Sequence, residues 1–509
     1  MIALATALRL INLGGRPLWY DEAFAVLYAE KPFATMLYGT LTPVHGVAAD
    51  VHPLLYYFIL HGWMQLFGQS AVMVRALSVV LGIATVVMAY LLGRTLYDRR
   101  SGLGAGFVVA CTPFAVYYAQ EARMYALLGL AATAMTFFFV RAWVGRGWIN
   151  WLAMSLCGAM VLYAHNLGFA FVLALDVWVT WSWFGPNGAR WRNWLPLTFA
   201  HLLMVLLFAP WLLALPGQFG KVQQAYWVTQ PGLVQLIQTS LIFHFAYDNQ
   251  ALPSWLLPFA LFFSILLLVL CALALWRQRH RASSNRFPSP DGLLLMLSSL
   301  PVIILFAISQ LRPVYIVRAL LPSALSYYGL LSALWMRNAW PRAVRWGVFI
   351  PCALIAAVSL WNHYTYASFP RAPFDRVVAF LRAHYQADDV IVHSNKLSFF
   401  PAHYYDRTLP QCFIADPPGS PNDTLAYPTQ EALGLFAVPD LATAVRGHER
   451  VWLVIFRRAI EEYRNAGYAD HPHRLWMEQH YTLISLHRFN DLDVAVYVLR
   501  APPLASTSQ

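Results

Sequence analysis

Apolar runs of roughly 20 residues recur along this chain, and a run of that length is what a helix needs to cross a ~30 Å hydrocarbon core. They lie near 74–96, 102–119, 125–144, 149–164, 168–184, 195–214, 255–276, 292–310, 316–336 and 346–362. In lipid a backbone has no water to bond, so each run must satisfy itself as a helix. Of the 509 residues, 59% are hydrophobic and 12% charged. Soluble domains carry about 25% charged residues, so lipid is the main solvent here. A further run, Ile2 to Leu13, covers only about 18 Å as a helix, too short to span; the expectation is that the true start lies upstream. Counting it, the chain reads as a polytopic α-helical membrane protein with about eleven membrane segments.

The net charge of +11 belongs to topology, not to nucleic acid. Arg94, Arg99 and Arg100 flank one connection, Arg141 and Arg146 the next, and Arg190 and Arg192 another. Arg277, Arg279, Arg281 and Arg286 fill a fourth, and Arg337, Arg342 and Arg345 a fifth. These are alternate connections, which the positive-inside rule makes cytoplasmic. The others, around 14–70, 117–124, 164–167, 215–254 and 310–318, are then extracytoplasmic, as is the tail. The expected domains are 1–362, a membrane domain with a first external loop at 14–70, and 363–509, a small α/β domain outside a bacterial inner membrane. Within that tail the pattern predicts a helix at Phe374–His384, buried strands at Val390–Val392 and Val451–Phe456, a polar amphipathic segment at Ala459–Ala466, and a terminal hairpin of Thr482–Phe489 with Val494–Leu499. The five cysteines show no disulfide framework.

The unusual ionisable residues fall on one predicted face. Asp21 and Glu22 follow Trp19-Tyr20; Asp50 and His52 come later in the same loop, ahead of the amphipathic Leu54–Phe67. Glu121, Arg123 and Tyr125 sit where two runs meet, His165 in the next turn, and Arg312 and Arg318 in the last. Ionisable groups at membrane depth are expensive and mark a pathway or a site. A cavity of both signs suits a phosphate-bearing donor and a hydroxyl acceptor, with a carboxylate as general base and Arg stabilising the departing phosphate. Each residue also has a plainer reading. Asp21 or Glu22 suits a helix cap, Glu121 and Arg123 a structural ion pair, His165 a polar filler, and Arg318 a snorkelling side chain. His471-Pro-His473 lacks further ligands for a metal site. No metal is assigned; a divalent cation is chemically compatible with phosphate and carboxylates, but no ligand set declares itself. A lipid-linked sugar flippase or transporter, or an inert scaffold, would also bury charges. A transporter, however, usually shows repeated halves, and none is evident here.

At these residues the sequence resembles the bacterial branch of the protein O-mannosyltransferase superfamily, the glycosyltransferase family 39 and aminoarabinose-transferase-like enzymes of the GT-C fold. The resemblance is carried in order by Leu8-Arg-Leu-Ile-Asn-Leu-Gly14, Leu18-Trp-Tyr-Asp-Glu-Ala23, Asp50-Val-His-Pro-Leu-Leu-Tyr-Tyr57, Val74-Arg-Ala-Leu-Ser-Val-Val-Leu-Gly82, Tyr118-Ala-Gln-Glu-Ala-Arg-Met-Tyr125 and Arg318-Ala-Leu-Leu-Pro322. It implies inverting transfer of a sugar from a polyprenyl-phosphate donor to an acceptor hydroxyl on an envelope lipid, glycan or protein. Asp21 would be the base or acceptor anchor, with Glu22 supporting it. Arg123 and Arg318 would contact the lipid phosphate, and Asp50, His52, Glu121, Tyr125 and His165 would line the cavity. Two positions depart from the family pattern: Leu54 replaces the second Pro after the His, and Ala319 replaces the Tyr after the late Arg.

Overall fold

The structure is a computed structural model; it describes residues 1–500 apart from 46, 146, 184–192, 225–227, 279–286 and 418–423. Of the topology-setting arginines, Arg146, Arg190, Arg192, Arg279, Arg281 and Arg286 therefore lie outside the described residues. Cα packing divides the chain into two compact units. The membrane unit comprises Met1–Leu13 with Val51–Gln223 and Val228–Thr365; the other groups Gly14–Asp50 with the chain from Tyr366 onwards. The first loop thus folds with the tail, whereas its place in the chain had suggested the membrane helices. The reason is compositional: its Ala23–Ala29 stretch is apolar all round and buries every residue, so it needs packing partners on each side.

Each apolar run named above is mainly helical over its described residues. Among the described residues, seven helices are long and apolar enough to span, from Ala71–Leu96 to Arg342–Thr365, or eight if one bent pair counts as a single span. Trp148–Ala164 and Asn166–Ser182 are apolar but shorter. The bent pair, Arg99–Cys111 and Pro113–Ala119, turns by 63°. Pro113 supplies no N–H and so leaves the carbonyl of Val109 without its helical donor. Arg9, fully buried, makes good the loss. Its Nη2 donates to the Val109 carbonyl at 3.0 Å and its Nη1 to the Ala110 carbonyl at 3.0 Å. A buried guanidinium thus mends a broken membrane helix, which explains an arginine inside the short first helix, Ile2–Leu10. Nearby, the Ala71–Leu96 and Arg99–Cys111 helices cross closely at glycines: a Cβ on Gly102 would stand 2.6 Å from the Tyr90 carbonyl oxygen.

In the second unit, five strands form one mixed sheet. They are β1 (Val390–His393), β2 (Gln411–Phe413), β3 (Arg450–Phe456), β4 (Tyr481–Phe489) and β5 (Leu492–Leu499), in the order β2-β1-β3-β5-β4. β1 runs parallel to β2 and β3; β5 is antiparallel to β3 and β4. The period-2 pattern sorts β3 cleanly. Trp452, Val454 and Phe456 join one core with Phe374, Val377 and Leu381, while Val451 and Leu453 join the other with Met477 and Tyr497. The predicted helix, both buried strands, the amphipathic segment (Arg457–Asn465) and the hairpin are all present. The helices Lys396–Tyr405 and Pro472–His480 and the short β2 were not anticipated. In the second of these helices His471 serves as the cap, its Nδ1 accepting the His473 N–H at 3.2 Å.

At the end of β1, His393 is wholly buried, its ring held between Ser398 Oγ and Gln411 Oε1, each at 3.1 Å. Burial pushes its pKa down to about 3. A base depressed in the folded state binds fewer protons there than when unfolded. Its stabilisation is therefore present above the ordinary value of about 6.5 and is lost as pH falls from there towards 3. His393→Gln should flatten the acid side of this profile. Hydrogen exchange of the β1 and β3 amides between pH 6.5 and 4, corrected for intrinsic rates, measures it; an unchanged slope would assign the acid sensitivity elsewhere.

Candidate active site

The membrane unit brings its candidates to a common place because four helix junctions meet. Arg123 lies in the turn before Tyr125–Trp143, and Arg318 in the 3₁₀ turn Val317–Leu320 that leads into Leu321–Arg337. His165 stands between Trp148–Ala164 and the short turn Asn166–Gly168, and His52 just ahead of Leu55–Phe67. Tyr125 is the hub. The Arg318 guanidinium carbon sits 5.4 Å from its ring centroid, Tyr118 packs edge-on at 4.9 Å, and the His165 ring lies at 6.0 Å. Such a cation over an aromatic face is favourable, more so away from water. Arg123 Nη1 donates to the Tyr57 hydroxyl at 3.2 Å. His52, Arg123 and Arg318 all lie within electrostatic reach of His165, as Glu121 and Arg318 do of Tyr118. Glu121, Arg123 and Tyr125 are at most 3% exposed.

The plainer reading of His165 is partly realised. Its Nδ1 accepts the Leu167 N–H at 3.1 Å, which caps the short turn. That acceptor role fixes the neutral tautomer, with the proton on Nε2. Arg318 is half-buried over Tyr125 rather than extended to solvent, whereas Arg312 is exposed. Ala319, where the family pattern has Tyr, is buried. Among the described residues no three His, Cys, Asp or Glu side chains converge as metal ligands would.

Two amides that sequence reasoning passed over frame this cluster. Gln120, fully buried, donates to the carbonyls of Arg9 (2.8 Å) and Ile11 (2.9 Å) and accepts from His363 Nε2 (2.8 Å). Asn166 donates to the Val51 carbonyl (2.8 Å) and to Gln218 Oε1 (3.0 Å), while Trp211 donates to it (3.2 Å). The first fastens the turn that carries Glu121 and Arg123; the second fastens the chain next to His52. Gln120 lay inside a quoted motif, but its role could be read only from three segments meeting.

In the second unit, Asp21 and Glu22 occupy the first turn of the helix Tyr20–Ala29, whose N-cap is Trp19 with no side-chain cap bond. Neither carboxylate is thus the cap. Asp21 is half-buried; Glu22 is wholly buried and ion-paired with Arg371, itself 3% exposed. Arg371 was not singled out from the sequence. The unit's tail packs all along this helix. Tyr20 and Phe24 rest against Phe400 (5.7 and 6.0 Å), the Leu18 N–H donates to the Tyr405 hydroxyl at 2.9 Å, and Arg407 pairs with Glu30. Asp50 is tied down by its own N–H, which donates to the Thr40 carbonyl at 3.1 Å.

Comparison with known proteins places this architecture. The dolichyl-phosphate-mannose-protein mannosyltransferase family model matches residues 51–213. ArnT from Cupriavidus metallidurans in the apo state superposes with a TM-score of 0.61 at 12% identity, covering 97% of this chain and 96% of that one. The chain shares the fold of this GT-C structure. The same fold is seen in the apo oligosaccharyltransferase of Archaeoglobus fulgidus, with a TM-score of 0.54 at 12% identity over 99% of this chain and 74% of that one. By sequence, the putative mannosyltransferase YkcB of Bacillus subtilis is 27% identical over 167 residues; the match spans 30% of this chain and 21% of that protein's length. With its apolar helices, this chain is a multi-pass membrane protein.

Asn166 offers a clean test of the framework. Its amide both donates and accepts, whereas a carboxylate only accepts. Asn166→Asp, though isosteric, should destabilise the membrane unit more than Asn166→Ala, by about 1–3 kcal/mol relative to wild type. Thermal unfolding in detergent measures the order; Asp equal to Asn would mean that the Val51 bond does not form.

Proposed function

We propose that this chain is a lipid-phosphate-sugar-dependent glycosyltransferase that moves a hexosyl or pentosyl group from a polyprenyl-phosphate donor to an acceptor hydroxyl on the extracytoplasmic face of a bacterial inner membrane. The observation that carries the proposal is the gathering of Arg123, Arg318 and His52 about His165, with Arg318 and His165 against Tyr125, among apolar helices. Two guanidiniums in such surroundings suit a lipid phosphate, whose apolar tail the membrane accommodates. The family model that matches is named for a dolichyl-phosphate-linked donor, and ArnT has been crystallised with undecaprenyl phosphate; both are in keeping with this donor class.

The chemistry is a single displacement with inversion. Asp21 takes the proton of the acceptor hydroxyl, and that oxygen forms a bond to the anomeric carbon. The bond from this carbon to the phosphate oxygen breaks, its electron pair leaving with the lipid phosphate. The phosphodiester thereby becomes a monoester and gains negative charge, which Arg123 and Arg318 stabilise in a low-dielectric site. Glu121, Tyr125, His165, Asp50 and His52 shape the cavity. The arginine-rich alternate connections support the orientation. The acceptor is an envelope lipid, glycan or protein.

Removing the base by Asp21→Asn should lower transfer by about 10²–10⁴-fold while donor binding persists. Proteoliposomes supplied with polyprenyl-phosphate sugars, or restoration of the missing glycan residue in a deletion strain, provide the measurement. Wild-type transfer by the Asn variant would take Asp21 out of the base role.

A further inference from the structure

The residues on either side of Tyr20-Asp21 are both held by one side chain. The Arg371 guanidinium pairs with the buried Glu22 carboxylate, and its carbon lies 5.6 Å from the Trp19 ring centroid. Trp19 is the N-cap and Glu22 lies in the first turn of the Tyr20–Ala29 helix, so this single contact spans the turn on which Asp21 sits. The N-cap residue itself makes no side-chain capping hydrogen bond to the helix. The N-terminal turn of a helix leaves its amides without intrahelical partners and frays readily.

Arg371 is itself anchored in the sheet's core. Its N–H donates to the Ser368 carbonyl at 2.6 Å, and its neighbour Ala372 is wholly buried. Phe369 packs edge-on against Phe456 of β3 at 5.1 Å, while Asn490, at the β4–β5 turn, donates to the Ala367 carbonyl at 2.7 Å. From the far side, the Arg458 guanidinium lies 4.8 Å from the Phe369 ring. A rigid β-sheet thus presents the guanidinium, and the guanidinium presents the helix end.

We propose that Arg371 is a positioning residue for sugar transfer: by gripping Trp19 and Glu22 it fixes the first turn of the Tyr20–Ala29 helix, and with it the Asp21 carboxylate. The inference rests on the reading of Asp21 as the base. It gives the segment that packs on the C-terminal sheet a direct part in the reaction, through Arg371. Glu22, on this account, is Arg371's partner and not a second base. Arginine is required because its planar fork can meet a carboxylate edge-on while its face lies on an indole; a lysine offers one point charge.

The test compares Arg371→Met, Arg371→Lys and the double variant Glu22→Gln/Arg371→Met with Asp21→Asn in a deletion strain, at matched membrane abundance, reading the restored glycan residue by mass spectrometry. Hydrogen exchange of the Tyr20–Phe24 amides is followed in the purified full chain. Arg371→Met should lower transfer by about 10²-fold, the scale set by an ångström's misplacement of a reacting group, and speed exchange in that turn by about tenfold or more. Arg371→Lys should fall between Met and wild type. The double variant removes the stranded carboxylate, so it should regain abundance and thermal stability without regaining transfer. Had Arg371 only a structural role, stability and transfer would return together in the double variant; that result, or unchanged exchange at Tyr20–Phe24, overturns the proposal. Full transfer by Asp21→Asn would instead remove the base assignment on which it stands, and the exchange result would still report whether Arg371 holds the turn.

Discussion

A hydrocarbon solvent offers no hydrogen bonds, and this constraint explains more of the structure than any single contact. A backbone group that a proline or a turn releases within the membrane unit needs another partner, from a side chain, a local helix adjustment or water. Arg9 shows the rule at its most demanding. Pro113 stands at a 63° bend between two apolar helices, and a charged residue from another helix is buried completely to satisfy the carbonyls at the break. The break in turn lets the chain after Ala119 leave the helix direction, and the turn that follows is where Glu121 and Arg123 stand. Gln120 repeats the logic, closing the carbonyls of Arg9 and Ile11 while accepting from His363.

Polar groups gather at helix junctions for the same reason. A junction in an apolar environment leaves carbonyls and amides that only polar side chains can satisfy, and those side chains then remain available to shape a site. His165 does both: one ring nitrogen caps the turn after it, and the ring faces Tyr125. The structural and functional readings of such residues are therefore not rivals. A buried cap at a junction is already pre-organised, which is what binding a charged group in a low-dielectric site requires.

The second unit shows the converse arrangement. Its sheet obeys the two-residue alternation of a soluble domain, with β3 feeding a core on each face. The helix Tyr20–Ala29, apolar around its circumference from Ala23 onwards, is wrapped by Phe400, Tyr405, Arg371 and Arg407. Close packing continues at Gly39, where a Cβ would stand 2.6 Å from that of Ala432. A loop far away in the chain and the C-terminal tail are thus one folding unit, joined mainly by side chains that neither segment could bury alone.

Much of this was legible in the sequence. Apolar run length marked the helices of the membrane unit, of which seven or eight among the described residues are long enough to span; period-2 alternation set β1, β3 and the hairpin; and the ordered motifs marked Asp21, Glu121, Arg123, Tyr125 and Arg318 as unusual. These are local signals, written within a few residues of one another. What only the tertiary structure decided was partnership across long separations. Arg371 lies 349 residues from Glu22, His363 meets Gln120 across 243, and Asn166 reaches Val51 across 115. Nothing local distinguishes Arg371 from the neighbouring basic residues of a soluble-looking tail. Its meaning comes from burial, which turns an ordinary charge into one that must find its opposite.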